Sequence, residues 1–258
     1  MSERSGMDLD GMVADLSRLG PPFRVRGRGD DAAPGADQEV FEAARLADPA
    51  DGEADRMVRR HAAARGMAVG RHVGSLVFQR YCHRVCGVAV AAWVRHDAIL
   101  DLTAPNTAMV FVDGTPDVVQ LHAVAGRPEA TAEDVVETVV DGHLLLVARS
   151  VSAGTGPGLG NLWGNIAAGF AGAFRTLSRF HDAEMLRGRA EELAATHAEL
   201  DRGGTYRSLS GPRGTRLHYD RRSCCHWYAA PDGKFCSWCC RLDAAERTAR
   251  FRDSMAAE

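Results

Sequence analysis

Residues 71–95 read RHVGSLVFQRYCHRVCGVAVAAWVR, and their apolar side chains recur with the period of an α-helix. One stripe of this helix holds Val73, Val77, Tyr81, Val85, Val88 and Ala92. A helix with such a stripe buries it against other elements of the fold. The segment therefore predicts a core helix. Cys82 and Cys86 lie four residues apart on one face of it, and we expect them to pack in the core rather than to bind a metal.

Three short apolar runs follow this helix, at Ala98–Leu102, Met109–Val112 and Val118–Val124. The sequences Ala-Pro-Asn and Asp-Gly-Thr-Pro separate them, and both are typical of turns. The pattern predicts a small antiparallel β-meander.

Helical patterns return after the meander. Thr131, with Asp134 three residues later, predicts the start of one helix. Asn161 is predicted to cap the next, and Asp182–Leu200 forms a further amphipathic helix. The glycine-rich stretch Ser152–Gly160 lacks the Gly-Lys-Ser/Thr of a phosphate-binding loop, so it predicts a connector or a substrate-facing loop. Together these elements indicate an α+β fold, mostly helical, with helices packed around the meander.

The N-terminal part is predicted to be loosely packed. We expect a short helix at Asp8–Leu19, a loop rich in Gly, Pro, Asp and Ala at Gly20–Gln38, and a second short helix at Glu39–Leu46. At these changes of pattern the chain divides into an N-terminal region with flexible loops, an α+β core and a C-terminal cysteine-rich segment, at 1–66, 67–202 and 203–258.

Charge and composition exclude some classes of protein. The net charge is −3, and the 31 basic residues include a single lysine, Lys234, which is the bias of a high-GC genome rather than a sign of nucleic-acid binding. Asp201–Arg222 carries six arginines and two aspartates; it is either a solvated loop or a positive segment that compensates a negative cluster or docks an acidic donor protein. Neither a signal-peptide core nor an apolar run of membrane-spanning length is present, so we expect a cytoplasmic protein.

Four cysteines close to the C-terminus have the spacing Cys-Cys-x10-Cys-x2-Cys: Cys224, Cys225, Cys236 and Cys239. Cys236 and Cys239 make a hook of the kind found in zinc sites. Adjacent residues of extended chain aim their side chains in opposite directions, so the pair Cys224–Cys225 suits the two irons of a [2Fe–2S] cluster better than one ion. A zinc site, and redox thiols or disulfides, remain open alternatives. Cys240 is expected to be a spare thiol.

Three segments resemble the bacterial FhuF-like ferric-siderophore reductases. They are RRSCCHWY with FCSWCC in the tail, LWGN at Leu162–Asn165, and the helix around SLVFQRY at Ser75–Tyr81. The likeness spans roughly residues 71–241. It departs from the family at Cys240, where relatives often have proline. Siderophore synthetases of the aerobactin type have similar helical regions but lack the cysteine motif, so the motif favours the reductases.

The resemblance implies that Cys224, Cys225, Cys236 and Cys239 hold a [2Fe–2S] cluster. The implied activity is one-electron reduction of a ferric siderophore of hydroxamate or mixed type, which releases Fe(II) in the bacterial cytoplasm. Residues 67–202 would form the siderophore-facing domain. Because no flavin or NAD fingerprint is present, a ferredoxin or a flavin/NAD(P)H reductase would supply the electron.

No catalytic side chain beyond the cluster is expected. Charge and aromatic character make these residues candidates for substrate binding: Arg221, Arg222, Trp227, Tyr228, Lys234 and Trp238. The rival hypotheses are a zinc-stabilised siderophore-binding or interaction module without redox activity and an iron–sulfur sensor.

Overall fold

The structure is a computed structural model that describes residues 7–29 and 37–257. Its α-helices are α1 (Leu9–Arg18), α2 (Ala43–Leu46), α3 (Glu53–Arg65), α4 (Arg71–His96), α5 (Ala132–Val136), α6 (Leu145–Thr155), α7 (Leu159–Leu177), α8 (Ala183–Ala195), α9 (Ala198–Arg202) and α10 (Ala244–Ala256). A π-helical stretch, Glu137–Leu144, joins α5 to α6.

The strands are short and form three small sheets. They are β1 (Val25–Gly27), β2 (Gln38–Glu42), β3 (Ala98–Leu100), β4 (Thr107–Val112), β5 (Thr115–Leu121), β6 (Gly126–Pro128), β7 (Gly204–Gly211) and β8 (Gly214–Arg221). The largest sheet has the order β1-β5-β4-β2, in which only the β1–β5 pair is parallel. The pairs β3–β6 and β7–β8 are antiparallel. The predicted α+β, mostly helical fold is confirmed.

Helix α4 is the centre of the molecule, as the opening stretch predicts. Its apolar side chains are buried on every face and not only along the predicted stripe, since Val90, Ala91 and Trp93 are fully buried as well. Cys82 and Cys86 are also fully buried, which confirms core packing for that pair. Helix α7 approaches α4 closely at Gly169, where a Cβ would lie 3.0 Å from Cys86 Sγ.

The predicted meander is only partly correct. Strands β4 and β5 form an antiparallel hairpin, but β3 pairs with β6 and belongs to a different sheet. The edges of the main sheet come instead from β1 and β2, ahead of the core. The predicted helix at Glu39–Leu46 is wrong in its first half, because Gln38–Glu42 is a strand in which Phe41 is fully buried. Phe41 packs on Phe111 of β4, with ring centroids 4.5 Å apart.

Much of the N-terminal region belongs to the same core. Leu16, Phe23 and Met57 are fully buried, and the helix predicted at Asp8–Leu19 is α1. The described part of this region is therefore well packed, unlike the prediction; residues 30–36 of the expected loop lie outside the described residues. The three-region division of the chain stays a prediction.

The middle of the chain also differs in detail. Helix α6 continues to Thr155, so the predicted glycine-rich loop shrinks to Gly156–Gly158. Gly154 is helical and faces Asp55 of α3, whose carboxylate would have to move to admit a Cβ at position 154. Asn161 lies inside the first turn of α7, which Gly158 caps. The predicted helix Asp182–Leu200 is divided into α8 and α9.

The arginine-rich segment before the cysteines is a β-hairpin, β7–β8, and not the predicted loop. Its arginines are partly neutralised locally, since Arg207 forms an ion pair with Asp220 across the hairpin. Beyond the cysteines, Asp243 and Glu246 form a capping box that starts α10. Among the helices that the structure describes, none is long and apolar enough to cross a membrane.

Candidate metal centre in the cysteine segment

Residues 222–243, which we call the cysteine segment, connect β8 to α10. Their only regular element within the described chain is a 3₁₀ turn at Trp227–Ala229. All of the cysteines are described and carry free thiols. Cys225 and Cys239 are each 5% exposed, whereas Cys224 and Cys236 are half-buried. Cys240 is half-buried as well, so the segment has two shielded thiols and three that are partly exposed.

The backbone next to Cys224 and Cys225, and within the Cys236–Cys239 hook, forms tight turns. His226 has a left-handed conformation, with φ of 64°, and its amide donates to Cys224 Sγ over 3.4 Å. The hook closes through a hydrogen bond from Cys239 N to Cys236 O of 3.0 Å. The adjacent cysteines are thus followed by a left-handed residue rather than by extended chain.

The two halves of the motif meet at Cys225 and Cys236. The Cys236 thiol donates a hydrogen bond to Cys225, which lowers the pKa of Cys225 and raises that of Cys236. The positive charge of Arg221 also lowers the pKa of Cys225. The pair thus favours one thiolate, which is the form of cysteine that ligates metals.

Arg221 is the structural partner of these thiols rather than a surface residue. It is 2% exposed, and its Nη2 donates to Asn165 Oδ1 over 2.6 Å. Its Nε donates to Ser223 Oγ over 3.2 Å, while Nη1 is buried and has no hydrogen-bond partner among the described residues. A buried cation with an unpaired nitrogen requires nearby negative charge, and thiolates would supply it.

Two asparagines of α7 tie the cysteine segment to the core. Asn161 Nδ2 donates to Cys224 O over 2.5 Å, and Asn165 Nδ2 donates to Ser75 O over 3.0 Å. Ser75 Oγ in turn donates to Asn161 Oδ1 over 2.7 Å. This network fixes the cysteine segment against α4 and α7.

The Leu-Trp-Gly-Asn element therefore has a structural explanation. Trp163 stacks on His197 with ring centroids 4.5 Å apart, and Asn165 holds Arg221. Gly164 lies directly beneath Ser223, whose Cβ would be 2.5 Å from a Cβ at Gly164, so a side chain there would collide with the cysteine segment. The motif thus forms the part of the α7 surface against which the cysteine segment packs.

A [2Fe–2S] cluster requires four thiolates, and the free thiols of this segment match that donor set in kind. Arg221, whose buried Nη1 has no partner among the described residues, complements the negative charge of such thiolates. Within residues 7–29 and 37–257, no three Cys, His, Asp or Glu side chains stand close enough together to hold a single metal ion. The residues present fit the cluster by chemistry, and the ligand set stays a prediction.

The six predicted substrate residues do not form one group. Trp227, Lys234 and Trp238 line a single cavity of about 420 Å³ that Cys236 also lines. Arg222 lines a separate depression. Tyr228 packs against Arg241, whose guanidinium carbon lies 4.4 Å from the Tyr228 ring centroid. Arg221 is buried, because the end of β8 enters the core at α7.

The same cavity contains residues that sequence reasoning missed. They include Gln79 and His83 of α4, Arg175 of α7 and Arg250 of α10. Burial lowers the pKa of His83 to about 3, so its imidazole is neutral. Gln79, His83 and Arg175 stand among apolar residues of α4 and α7, and this was the available signal in the sequence. Which cavity these side chains line depends on the tertiary packing.

No family model and no curated protein matches the chain. Among solved structures, the ATP-bound aerobactin synthetase IucA from a hypervirulent pathotype of Klebsiella pneumoniae is similar over 56% of this chain and 32% of its own, with 12% identity and a TM-score of 0.44. The aerobactin synthetase IucC from the same pathotype is similar over 67% of this chain and 33% of its own, with 16% identity and a TM-score of 0.44. The chain thus spans about one third of the length of each synthetase.

Proposed function

We propose that the protein is a ferric-siderophore reductase in which Cys224, Cys225, Cys236 and Cys239 hold a [2Fe–2S] cluster. The observation that carries this proposal is the anchoring of four free thiols in one segment beside the buried cation Arg221. The sequence resemblance supplies the substrate class.

Reduction is sufficient to release iron from such a substrate. Siderophore oxygens bind Fe(III) strongly, whereas Fe(II) is softer, has less charge and is held far less tightly. When bound, a [2Fe–2S] cluster supplies electrons one at a time. One electron from an external ferredoxin or flavin/NAD(P)H reductase would thus convert the bound Fe(III) to Fe(II) and leave the chelator intact.

The arrangement of the thiols supports a directional site. Cys225 and Cys239 lie on the buried side, where the protein excludes water from them. Cys236 is half-buried and lines the cavity of about 420 Å³, so the electron would leave on that side. The charge of Arg221 lowers the pKa of Cys225, and it would stabilise the added negative charge of a reduced cluster held by these thiolates.

The test compares single-cysteine variants under anaerobic conditions. Cys236→Ser and Cys239→Ser should each lose iron-dependent colour and the ability to convert a ferric siderophore to Fe(II), trapped with a coloured Fe(II) chelator. Cys240→Ser is the matched control, since Cys240 is adjacent and half-buried but outside the proposed ligand set. Loss of activity in Cys240→Ser with full activity in Cys239→Ser would contradict the assignment.

A further inference from the structure

The cavity beside Cys236 is a candidate binding site with mixed basic and aromatic walls. It lies between α4, α7, α10 and the cysteine segment and has a volume of about 420 Å³. A neighbouring cavity of about 270 Å³ shares His83, Arg175 and Trp238 with it. The two spaces are thus lined in part by the same side chains, and the larger one has the size of a small-molecule site.

Basic side chains outnumber acidic ones in the lining, which includes Arg175, Lys234, Arg250 and the carboxylate Asp253. The neighbouring cavity is also lined by Arg84, which forms an ion pair with Asp117 over 3.5 Å. A concave surface with an excess of one sign of charge raises the local concentration of ligands of the opposite sign.

Arg175 is held in a fixed position at this surface. Its Nη2 donates to Ser254 Oγ over 2.8 Å and its Nη1 to Ser237 Oγ over 3.4 Å. Its guanidinium carbon lies 5.5 Å from the Trp238 ring centroid. Because the charge is already oriented, an anionic ligand would lose less entropy on binding than it would beside mobile side chains.

Aromatic side chains supply flat walls. Lys234 Nζ lies 5.6 Å from the Trp227 ring centroid, which combines a cation with an apolar face. Trp238 lies beside Gly172 of α7, with its Cη2 3.5 Å from where a Cβ at that position would be, which is ordinary van der Waals contact. Such walls suit the rings and short chains that connect the metal-binding groups of a chelator.

His83 contributes an unsatisfied polar atom where the cavities meet. Its Nε2 is buried without a hydrogen-bond partner among the described residues. Buried polar atoms normally have partners, so an entering ligand or its water would complete this site.

We propose that this cavity binds the ferric chelate and selects anionic complexes, with carboxylate or catecholate groups, over neutral tris-hydroxamate complexes. That the bound iron is then reduced rests on the proposed function, whereas binding of the chelate does not require electron transfer. The location beside Cys236 would hold the metal complex at the exposed edge of the thiol site.

The test uses redox-inert Ga(III) complexes with the purified full chain, so that neither a cluster donor nor turnover is needed. A Ga(III) tris-catecholate and a Ga(III) carboxylate–hydroxamate are compared with a neutral Ga(III) tris-hydroxamate by titration calorimetry and tryptophan fluorescence. The anionic complexes should bind at least about tenfold more tightly in about 20 mM salt, and the preference should shrink in about 500 mM salt.

Lys234→Glu is the informative variant, because Lys234 is exposed and its replacement does not disturb the core. It should weaken anionic complexes about tenfold and leave the neutral one within about twofold. Arg213→Glu is the matched control, an exposed arginine at the tip of the β7–β8 hairpin, and should change nothing.

Equal affinity for neutral and anionic complexes, or equal effects of Lys234→Glu and Arg213→Glu, would overturn the proposal. Selective, Lys234-dependent binding without iron reduction would uphold the site and refute the reductase activity. Iron reduction at an unchanged rate in Lys234→Glu would uphold the reductase activity and refute the proposed binding site.

Discussion

The bond between Asn165 and Arg221 makes the most specific structural prediction. Asn165 is fully buried, accepts from Arg221 Nη2 over 2.6 Å and donates to Ser75 O over 3.0 Å. Asn165→Ala removes a hydrogen bond to a charged group, about 1.5–3 kcal/mol, and a second bond to Ser75 O, about 0.5–1.5 kcal/mol more. Because Ser75 O keeps its intrahelical bond within α4, we expect the free energy of unfolding to fall by about 2–4.5 kcal/mol.

A double-mutant cycle with Arg221→Met isolates the bond. Once the cation is gone, Asn165→Ala should cost about 2 kcal/mol less than it does in the parent protein. The assay is urea unfolding of the reduced protein under anaerobic conditions, followed by tryptophan fluorescence. Arg213→Ala with Asn165→Ala is the control cycle, and it should be additive within about 0.5 kcal/mol. A coupling below about 0.5 kcal/mol between Asn165 and Arg221 would refute the reasoning.

Three further predictions concern the core, the ligand set and pH. Gly169→Ala should destabilise the protein by about 1–3 kcal/mol, because its Cβ would press on Cys82 and Cys86 at 3.0 Å; Gly188→Ala, on an open face of α8, should stabilise by about 0.5–1 kcal/mol in the same urea assay. Cys82→Ala should keep the iron and labile sulfide that Cys239→Ser loses, as measured by metal analysis. Burial lowers the pKa of His143 to about 4 in the folded protein. The histidine of the unfolded chain, with a pKa of about 6.5, takes up a proton at a higher pH. Stability therefore falls as the pH drops from about 6.5 towards 4. Between pH 7.5 and 5 this histidine accounts for about 2 kcal/mol of the loss, which His143→Gln should remove.

Each of these predictions can fail. Gly169→Ala at least as stable as Gly188→Ala would show that α4 and α7 are not in close contact there. Iron loss in Cys82→Ala would move the ligand set into the core. An unchanged pH profile in His143→Gln would mean that His143 is not kept neutral by the fold.

Strong local signals allowed much of the helical fold to be predicted. The apolar pattern of residues 71–95 yields α4, and Thr131 with Asp134 forms the capping box that starts α5. These features depend on neighbours within one or two turns, so the sequence displays them directly.

The errors arise where partners are distant in sequence. Strand β1 is only three residues long and pairs with β5 across almost a hundred positions. The hairpin β7–β8 reads as a charged loop because its arginines stand among small and polar residues, although Leu217, His218, Tyr219 and Arg221 are all buried. A partner distant in sequence decides β1, whereas β7 and β8 are joined by two residues and depend on packing against α7 and α8; local propensity shows neither.

The candidate site shows the same division. The spacing of the four cysteines predicts which thiols belong together, and the described structure leaves the ligand set as that prediction. The burial of Arg221 and the grouping of Trp227 with His83 and Arg175 depend on how α4, α7 and α10 meet. No periodicity in the sequence encodes that meeting.

The visible absorption spectrum of anaerobically purified protein, with iron and sulfide analysis, tests the central claim most directly. We predict about two irons and two sulfides per chain, a brown colour that bleaches with dithionite, and its return on addition of a ferric siderophore as Fe(II) is trapped. A colourless protein that holds one zinc would contradict the account and leave a binding module with a structural clasp.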